Sequence, residues 1–125
     1  SADLLMSSKS DKDLVDGLRC LSEIYNATDK NIKSFAESGQ TDSAEGMSIR
    51  YVLNHWEHVS IGIQYKIYDE AMLHKASCNT VINLYKRARP FIERLRERVQ
   101  RPTLYQEVEW LANRWEAKGA PKKAR

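Results

Sequence analysis

The chain has 125 residues, a length that suits one compact domain, and 42% of them are hydrophobic against 30% that are charged. This balance excludes an intrinsically disordered chain, because enough apolar surface is present to form a core. No apolar run reaches the roughly 18 residues of a membrane-spanning helix, and the start lacks the basic-then-apolar order of a secretory signal peptide.

The first residues are Ser1 and Ala2 rather than an initiator methionine. The lack of a signal-peptide pattern leads us to expect a cytoplasmic protein. If a removed N-terminal segment carried an anchor, the protein would instead lie at the cytoplasmic face of a membrane.

Cys20 and Cys78 stand alone, without the spacing of a metal site. We expect them to be unpaired thiols, which are common in cytosolic proteins.

The first predicted helix begins near Ser10, whose hydroxyl is suited to cap the free amides of a first turn. Its apolar face repeats at helical spacing, through Leu14, Leu18, Leu21, Ile24 and Tyr25. From Asn26 onward, Asn, Thr and Asp weaken the helix because their side chains compete for backbone hydrogen bonds. A polar loop is predicted over residues 37–44, with Thr41 or Ser43 as the next helix cap.

The strongest helical pattern covers residues 44–67 and predicts a central helix. Its apolar positions keep a three-four rhythm through Ile49, Val52, Leu53, Trp56, Val59, Ile63 and Ile67. Gly62 lowers helix propensity inside this pattern, and we expect it to admit the close approach of another helix. Asp69 is a suitable cap for a short helix that follows.

The second half of the chain predicts two or three further helices. Ser77 or Asn79 opens one of them, and Pro90 either kinks it or begins a new helix. Thr103 and Gln106 have the spacing of a capping box for a last helix.

The chain therefore predicts an all-α fold, an irregular bundle of five or six helices in a single domain over residues 1–117. Residues 118–125 contain basic residues and no apolar stripe, so we expect a disordered basic tail.

An unusual string lies around the central helix: Leu53-Asn54-His55-Trp56-Glu57, then Ile61-Gly62-Ile63, then Ile67-Tyr68-Asp69-Glu70. It resembles a family of small bacterial and phage-encoded helical proteins known only as a numbered domain of unknown function. In that family an Asn-x-aromatic-Glu element precedes a Gly-Ile step and an Ile-x-Asp-Glu turn, and a Pro-Phe-Ile element follows, here within residues 89–93. The resemblance covers about residues 44–116. It implies a helical fold and, in many members, a preceding membrane segment, with no settled activity, cofactor or catalytic set.

Arg50 and His55, separated by four residues, provide an alternative enzymatic interpretation. Their spacing is similar to the catalytic motif of HEPN-type ribonucleases, helical domains that dimerise so that two motifs form one site. Histidine can exchange protons and arginine can stabilise charge on a phosphate, which suits RNA cleavage. On a regular helix, however, five residues place the two side chains roughly 140° apart. The sequence therefore favours ordinary hydrogen-bonding roles for both.

Other polar clusters lack the spacing of an active or metal site. His55 and His58 lie three residues apart, with His74 and Glu70 as further candidate ligands, but no metal-binding motif is present. Adjacent Asp69 and Glu70 are better placed for helix capping than for acid-base chemistry. We predict no metal and no cofactor.

The strongest electrostatic feature is a split in charge. Residues 1–77 carry 8 basic and 12 acidic side chains, and residues 78–125 carry 12 basic and 5 acidic ones. Most of the excess lies in one run of cations: Lys86, Arg87, Arg89, Arg94, Arg96, Arg98 and Arg101. Glu93 can pair with Arg89 or Arg96, and Glu97 with Arg94 or Arg101, at helical spacing. Such pairing favours a protein partner over nucleic acid, although a basic run can also grip phosphates.

We therefore predict a non-enzymatic helical protein-interaction or assembly module that associates with itself, with a HEPN-like dimeric ribonuclease or RNA-binding domain as the alternative. The predicted interaction surface contains Arg87, Arg89, Arg94, Arg98 and Trp110. Trp110 is included because it lies off the apolar stripe of the last helix, and exposed Trp and Arg often anchor protein contacts.

Overall fold

The computed structural model describes residues 8–121, with side chains from residue 12 onward. Within this range the chain is all-α, as predicted, and contains no strand. Its elements are α1 (Ser8–Asn26), a 3₁₀ helix (Ile32–Ala36), α2 (Ala44–Gln64), α3 (Glu70–Val99) and α4 (Gln106–Lys118). The prediction of five or six helices is wrong, since the described residues form four α-helices. None of these helices has both the length and the apolar character needed to cross a membrane.

The helix count is lower because α3 continues through every break that the sequence predicted. It runs for 30 residues from Glu70, past Ser77 and Asn79, with Pro90 inside it. Pro90 is exposed, so the carbonyl group that loses its helical partner can be hydrated. The buried positions on both sides of Pro90 stay on one face: Leu84, Ala88, Phe91, Ile92 and Leu95. Packing of that face outweighs the local cost of proline.

The helix caps were predicted in part. Ser43 caps α2 by accepting a hydrogen bond from the Gly46 amide at 3.1 Å. Asp69 caps the long α3 rather than a short helix, accepting from the Met72 amide at 3.2 Å. The prediction of Ser10 as a cap is wrong, because α1 already includes Ser8.

The start of α4 does not use the predicted capping box. Tyr105 is the residue before the helix, with a left-handed backbone (φ 60°, ψ 26°) and no capping side chain of its own. Glu57 of α2 replaces the cap, because its carboxylate accepts a hydrogen bond from the Val108 amide at 2.9 Å. Gln64 of α2 also donates to Glu107 at 2.6 Å. The first turn of α4 is therefore held by α2 rather than by local sequence.

The helices pack in a ring in which α1 lies along α2, α2 along α4, and α4 along α3. The ring closes where α3 contacts the 3₁₀ helix and α1, so α2 and α3 lie on opposite sides of the core. Trp115 of α4 fills the centre with no exposed surface. Its ring packs edge to face with those of Trp56, at a centroid distance of 6.3 Å, and His74, at 5.4 Å.

Two glycines mark close approaches. A Cβ atom at Gly17 would lie against Cγ2 of Val52 and 2.9 Å from the Ser48 carbonyl oxygen, so glycine lets α1 approach α2. At Gly62, a Cβ atom would meet the ring of Tyr68. The expected neighbouring helix at Gly62 is thus replaced by the turn that follows α2 itself.

The predicted apolar stripes of α1 and α2 include residues at their ends that are not buried. Tyr25 and Ile67, both predicted to be buried, are 62% and 69% exposed. Ile67 falls outside the core because α2 ends at Gln64. The tail predicted from residue 118 also begins differently: Lys118 belongs to α4, and the Gly119 carbonyl accepts a hydrogen bond from His74 at 3.0 Å. Residues 122–125 of the predicted tail lie outside the described residues.

Candidate functional site

The arginines of the predicted interaction surface point to different sides of α3. Arg94 binds Glu37 through two hydrogen bonds of 2.6 and 2.9 Å, and it also binds Glu97 at 2.8 Å. Arg98 donates to the Ala36 carbonyl at 2.7 Å. These two side chains tie α3 to the end of the 3₁₀ helix, and the Arg94 guanidinium holds the pKa of Glu37 below its usual range.

The opposite side of α3 faces α4. Arg89 pairs with Glu93 at 3.1 Å, which is one of the two pairings expected for Glu93. Arg96 donates to Glu109 at 2.8 Å and to the Leu104 carbonyl at 2.7 Å, so it fastens α3 to α4. The predicted surface is therefore divided between two sides of the helix rather than continuous.

Arg87 and Trp110, the remaining members of the predicted surface, also have partners within the chain. The Arg87 guanidinium lies 5.2 Å from the ring centre of Tyr25 on α1. Trp110 is 36% exposed, as expected for an aromatic residue off the stripe, and Arg114 lies 5.4 Å from its ring centre. Elsewhere in the second half of the chain, Arg94 and Arg114 bind carboxylates of the first half, and Lys86, Arg89 and Arg96 bind carboxylates of the second half. This pairing within the chain weakens the case for a protein partner on the basic run of α3.

A different surface comes from α2. Six exposed side chains follow one another along its outer side, opposite the core, and the last of them belongs to the residue directly after the helix: Met47, Tyr51, Asn54, His58, Ile61 and Tyr65. Their spacing alternates between four and three residues, which is the repeat of the contact positions in a coiled coil. Met47 and Tyr65 are 57% and 75% exposed. We call these six residues the outer stripe of α2.

Sequence reasoning missed the outer stripe because α2 carries two interleaved patterns. The buried one, which includes Ile49, Val52, Leu53 and Trp56, dominates the apolar count. The outer one contains Asn54 and His58 at its centre, so it does not read as apolar. The signal that indicates it is a second row of positions on the same helix, spaced alternately four and three residues apart.

Arg50 and His55 lie on different sides of α2. Arg50 donates to the Thr41 carbonyl and to Asp42, both at 3.1 Å, and lines a cleft beside the end of α3. His55 is not among the residues that line this cleft, and its ring contacts the edge of Trp56 at a centroid distance of 5.4 Å. One chain therefore does not bring the two residues of the ribonuclease-like motif together.

The cleft that contains Arg50 has a volume of about 570 Å³. Its lining comes from the loop before α2, from α2, from the end of α3 and from the loop before α4: Thr41, Asp42, Arg50, Asn54, Leu95, Arg98, Val99, Arg101, Leu104 and Tyr105. We call it the basic cleft, because three arginines and one carboxylate line it. Burial raises the pKa of Tyr105, whose hydroxyl hydrogen-bonds with Arg50.

The remaining histidine and carboxylate candidates have structural roles. The ring of His58 donates to the Asn54 carbonyl one turn earlier, at 2.8 Å. Glu70 accepts two hydrogen bonds from Arg114, at 2.7 and 3.0 Å, rather than capping a helix. Within residues 12–121, no three His, Cys, Asp or Glu side chains are grouped so as to hold a metal ion.

Comparison with known proteins gives a family but no described activity. Neither the curated proteins nor the solved structures contain a significant match. The family model described as Domain of unknown function (DUF4760) matches residues 1–115, which extends the resemblance seen in residues 44–116 to the N-terminal helix. The chain belongs to this family.

Proposed function

We propose that this protein is a non-enzymatic helical assembly module whose outer stripe of α2 docks on the same stripe of a second copy. The observation that carries the proposal is the four-three spacing of six exposed side chains along a helix whose inner side is already buried. A helix stripe with this spacing is complementary to another helix packed at a shallow angle.

The order of residues along the stripe favours a copy of itself as the partner. In an antiparallel pair centred on residue 56, Met47 of one chain faces Tyr65 of the other, and Tyr51 faces Ile61. Apolar groups then meet apolar or aromatic groups at both ends. A twofold dimer requires a patch that is complementary to itself in this way. The stripe spans about 27 Å at 1.5 Å per residue, so the contact would extend along the whole of α2.

The polar centre of the stripe sets the register. In the same antiparallel arrangement, Asn54 faces His58 of the second copy on both sides of the twofold axis. A shift by one helical turn would place these polar groups against Tyr51 or Ile61 and leave them without partners. Polar residues at such positions lower stability but specify orientation and register in coiled coils.

The module is proposed to work in the cytoplasm. Cys20 and Cys78 are both free thiols, and burial raises the pKa of each. Thiols of this kind persist where the surroundings are reducing.

The first test is a charge placed on the stripe. Ile61 is 39% exposed, so Ile61→Glu should leave the fold intact and put one carboxylate on each side of the dimer contact. The matched control is Val15→Glu, since Val15 is a 54% exposed β-branched residue on α1, outside the stripe. We expect sedimentation equilibrium to give twice the 14.5 kDa chain mass for the wild type and for Val15→Glu, and the single-chain mass for Ile61→Glu. A monomeric wild type, or an Ile61→Glu variant that dimerises like the control, would contradict the proposal.

The second test concerns orientation. A mixture of Met47→Cys and Tyr65→Cys chains should form a disulfide between the two variants, because these positions face one another in the antiparallel pair. Met47→Cys alone should not, because its two copies would lie at opposite ends of α2 and a disulfide needs Cβ atoms about 4 Å apart. The wild type, with Cys20 and Cys78, gives the background. Cross-linking of Met47→Cys with itself would instead indicate a parallel pair.

A further inference from the structure

Two of the three arginines of the basic cleft, Arg98 and Arg101, form no ion pair among the described residues, whereas Arg50 pairs with Asp42. Outside the cleft, Arg89, Arg94, Arg96 and Arg114 each bind a carboxylate. Arg101, at the mouth of the cleft, makes no ion pair within residues 12–121. Arg98 uses only its Nε atom, on the Ala36 carbonyl, so its two terminal nitrogens have no partner among the described residues. The cleft is therefore a place where guanidinium donors remain available.

Two of the three arginines of the cleft are held in position by the fold. Arg98 is anchored through its bond to Ala36, and Arg50 through its bonds to Thr41 and Asp42. Anchoring one edge of a guanidinium leaves the other edge pointing in a fixed direction, which lowers the entropy lost when an anion binds. The cleft lining therefore includes donors from α2, from α3 and from the loop that follows α3.

The charge of the cleft suits a doubly charged anion. Three arginines and one carboxylate give a net charge of +2 for the lining residues. The carboxylate, Asp42, has a side chain that is 83% exposed and pairs with Arg50 rather than with Arg98 or Arg101. Glu37, outside the lining, interacts electrostatically with Arg98 without forming an ion pair with it. A phosphate monoester carries a charge of about −1.5 to −2 near neutral pH, whereas a carboxylate carries only −1.

Part of the cleft lining is apolar. It consists of Leu95, Val99 and Leu104, which we call the floor of the cleft, and Val99 at the end of α3 is 39% exposed. The cleft volume, about 570 Å³, is within the range of pockets that bind small organic ligands. An inorganic ion would leave the apolar floor in contact with water, whereas an organic group attached to the phosphate would cover it.

We propose that the basic cleft binds a small phosphate monoester, with Arg98 and Arg101 on the phosphate and the organic group on the floor formed by Leu95, Val99 and Leu104. Arg50 and Asn54 lie on the α2 side of the same cleft and contribute further donors. The site shares Asn54 with the outer stripe of α2, whereas Arg98 and Arg101, at the end of α3 and in the loop after it, lie outside that stripe.

The test uses isothermal titration calorimetry with four probes: phenyl phosphate, a nucleoside 5′-monophosphate, phenol and inorganic phosphate. The site variant is Arg101→Ala, which removes an exposed arginine without an ion pair in the described part of the chain and so preserves the fold. The control is Arg89→Ala, which changes the net charge equally at a side chain outside the cleft that is 61% exposed.

We expect at least one phosphate ester to bind the wild type saturably and more tightly than inorganic phosphate, and phenol not to bind. Arg101→Ala should weaken the ester about tenfold, the typical effect of losing a charge-assisted hydrogen bond, and Arg89→Ala should change it less than twofold. Amide NMR signals of Asn54, Leu104 and Tyr105 should shift on addition of the ester. The proposal is overturned if neither ester binds, or if the two arginine variants weaken binding equally.

Discussion

The junction between α3 and α4 depends on one carboxylate. Glu70, the first residue of α3, accepts two hydrogen bonds from Arg114 and one from the indole nitrogen of Trp115, at 3.0 Å. The Arg114 guanidinium, together with the Trp115 indole, lowers the pKa of Glu70 to about 2. Trp115 is the fully buried centre of the core, so this carboxylate fixes both the position of α4 and the orientation of its central ring.

The lowered pKa implies a measurable stabilisation. A shift from 4.5 to about 2 corresponds to about 3 kcal/mol at neutral pH if it is taken in full. Arg114 has a side chain that is 47% exposed, so screening by solvent reduces the effective value to about 1–2 kcal/mol. We expect Glu70→Gln to lower the free energy of unfolding by that amount near neutral pH.

The pH dependence gives the sign of the effect. Because folding lowers the pKa of Glu70, its stabilisation is complete above the unfolded value of 4.5 and is lost as the pH falls towards about 2. We follow urea unfolding by tryptophan fluorescence at a series of pH values. The difference in free energy of unfolding between the wild type and Glu70→Gln should decrease as the pH is lowered.

The control is Glu116→Gln, which removes an exposed ion pair with Lys86 between the same two helices. Exposed pairs contribute about 0–1 kcal/mol, so this variant should stay close to the wild type at every pH. Two results would refute the reasoning. One is an equal loss of unfolding free energy in Glu70→Gln and Glu116→Gln, and the other is a difference between the wild type and Glu70→Gln that does not change with pH.

Substitutions at three further positions test the fold. Gly17→Ala should destabilise the protein by about 1–3 kcal/mol in urea unfolding, because the added methyl group would overlap Val52 across the contact between α1 and α2. Gln100→Gly should stabilise it by about 0.5–1 kcal/mol, because Gln100 is exposed and ends α3 with a left-handed φ of 56°, which glycine adopts without strain. Glu57→Ala should cost about 1 kcal/mol by removing the cap on Val108, whereas Glu57→Gln keeps an acceptor oxygen and should cost less, since burial already raises the pKa of Glu57.

The sequence predicts those features of the fold that depend on local patterns. The all-α class and the core of α2 follow from helical spacing, because an amphipathic helix repeats its buried positions every three to four residues. Asp69 was identified as a cap, and Ser43 as one of two candidates beside Thr41, because a cap is satisfied within a few residues of itself. The pairing of Glu93 with Arg89 and of Glu97 with Arg94 is local in the same sense.

Features that depend on contacts between distant residues could not be predicted in this way. The cap on α4 comes from Glu57, 51 residues away along the chain, and Arg94 finds Glu37 at a separation of 57. Pro90 is a helix breaker by local rules, and only the packing of its neighbours shows that α3 continues. The basic cleft likewise brings together residues from positions 41 to 105, so no local sequence motif predicts it.

The proposed dimer contact and the proposed phosphate site share one side chain. Asn54 lies one helical turn after Arg50 on the wall of the basic cleft, and it is also a central residue of the outer stripe. If a second copy covers Asn54 while a phosphate ester contacts it, each event must change the free energy of the other by the same amount. Because each chain has one cleft, saturating phenyl phosphate should shift the dimer dissociation constant, measured by sedimentation, by the square of the factor that dimerisation imposes on the affinity of each site. Asn54→Ala should reduce that factor towards one. If the ligand leaves the dimer dissociation constant of the wild type unchanged, the cleft and the stripe are independent.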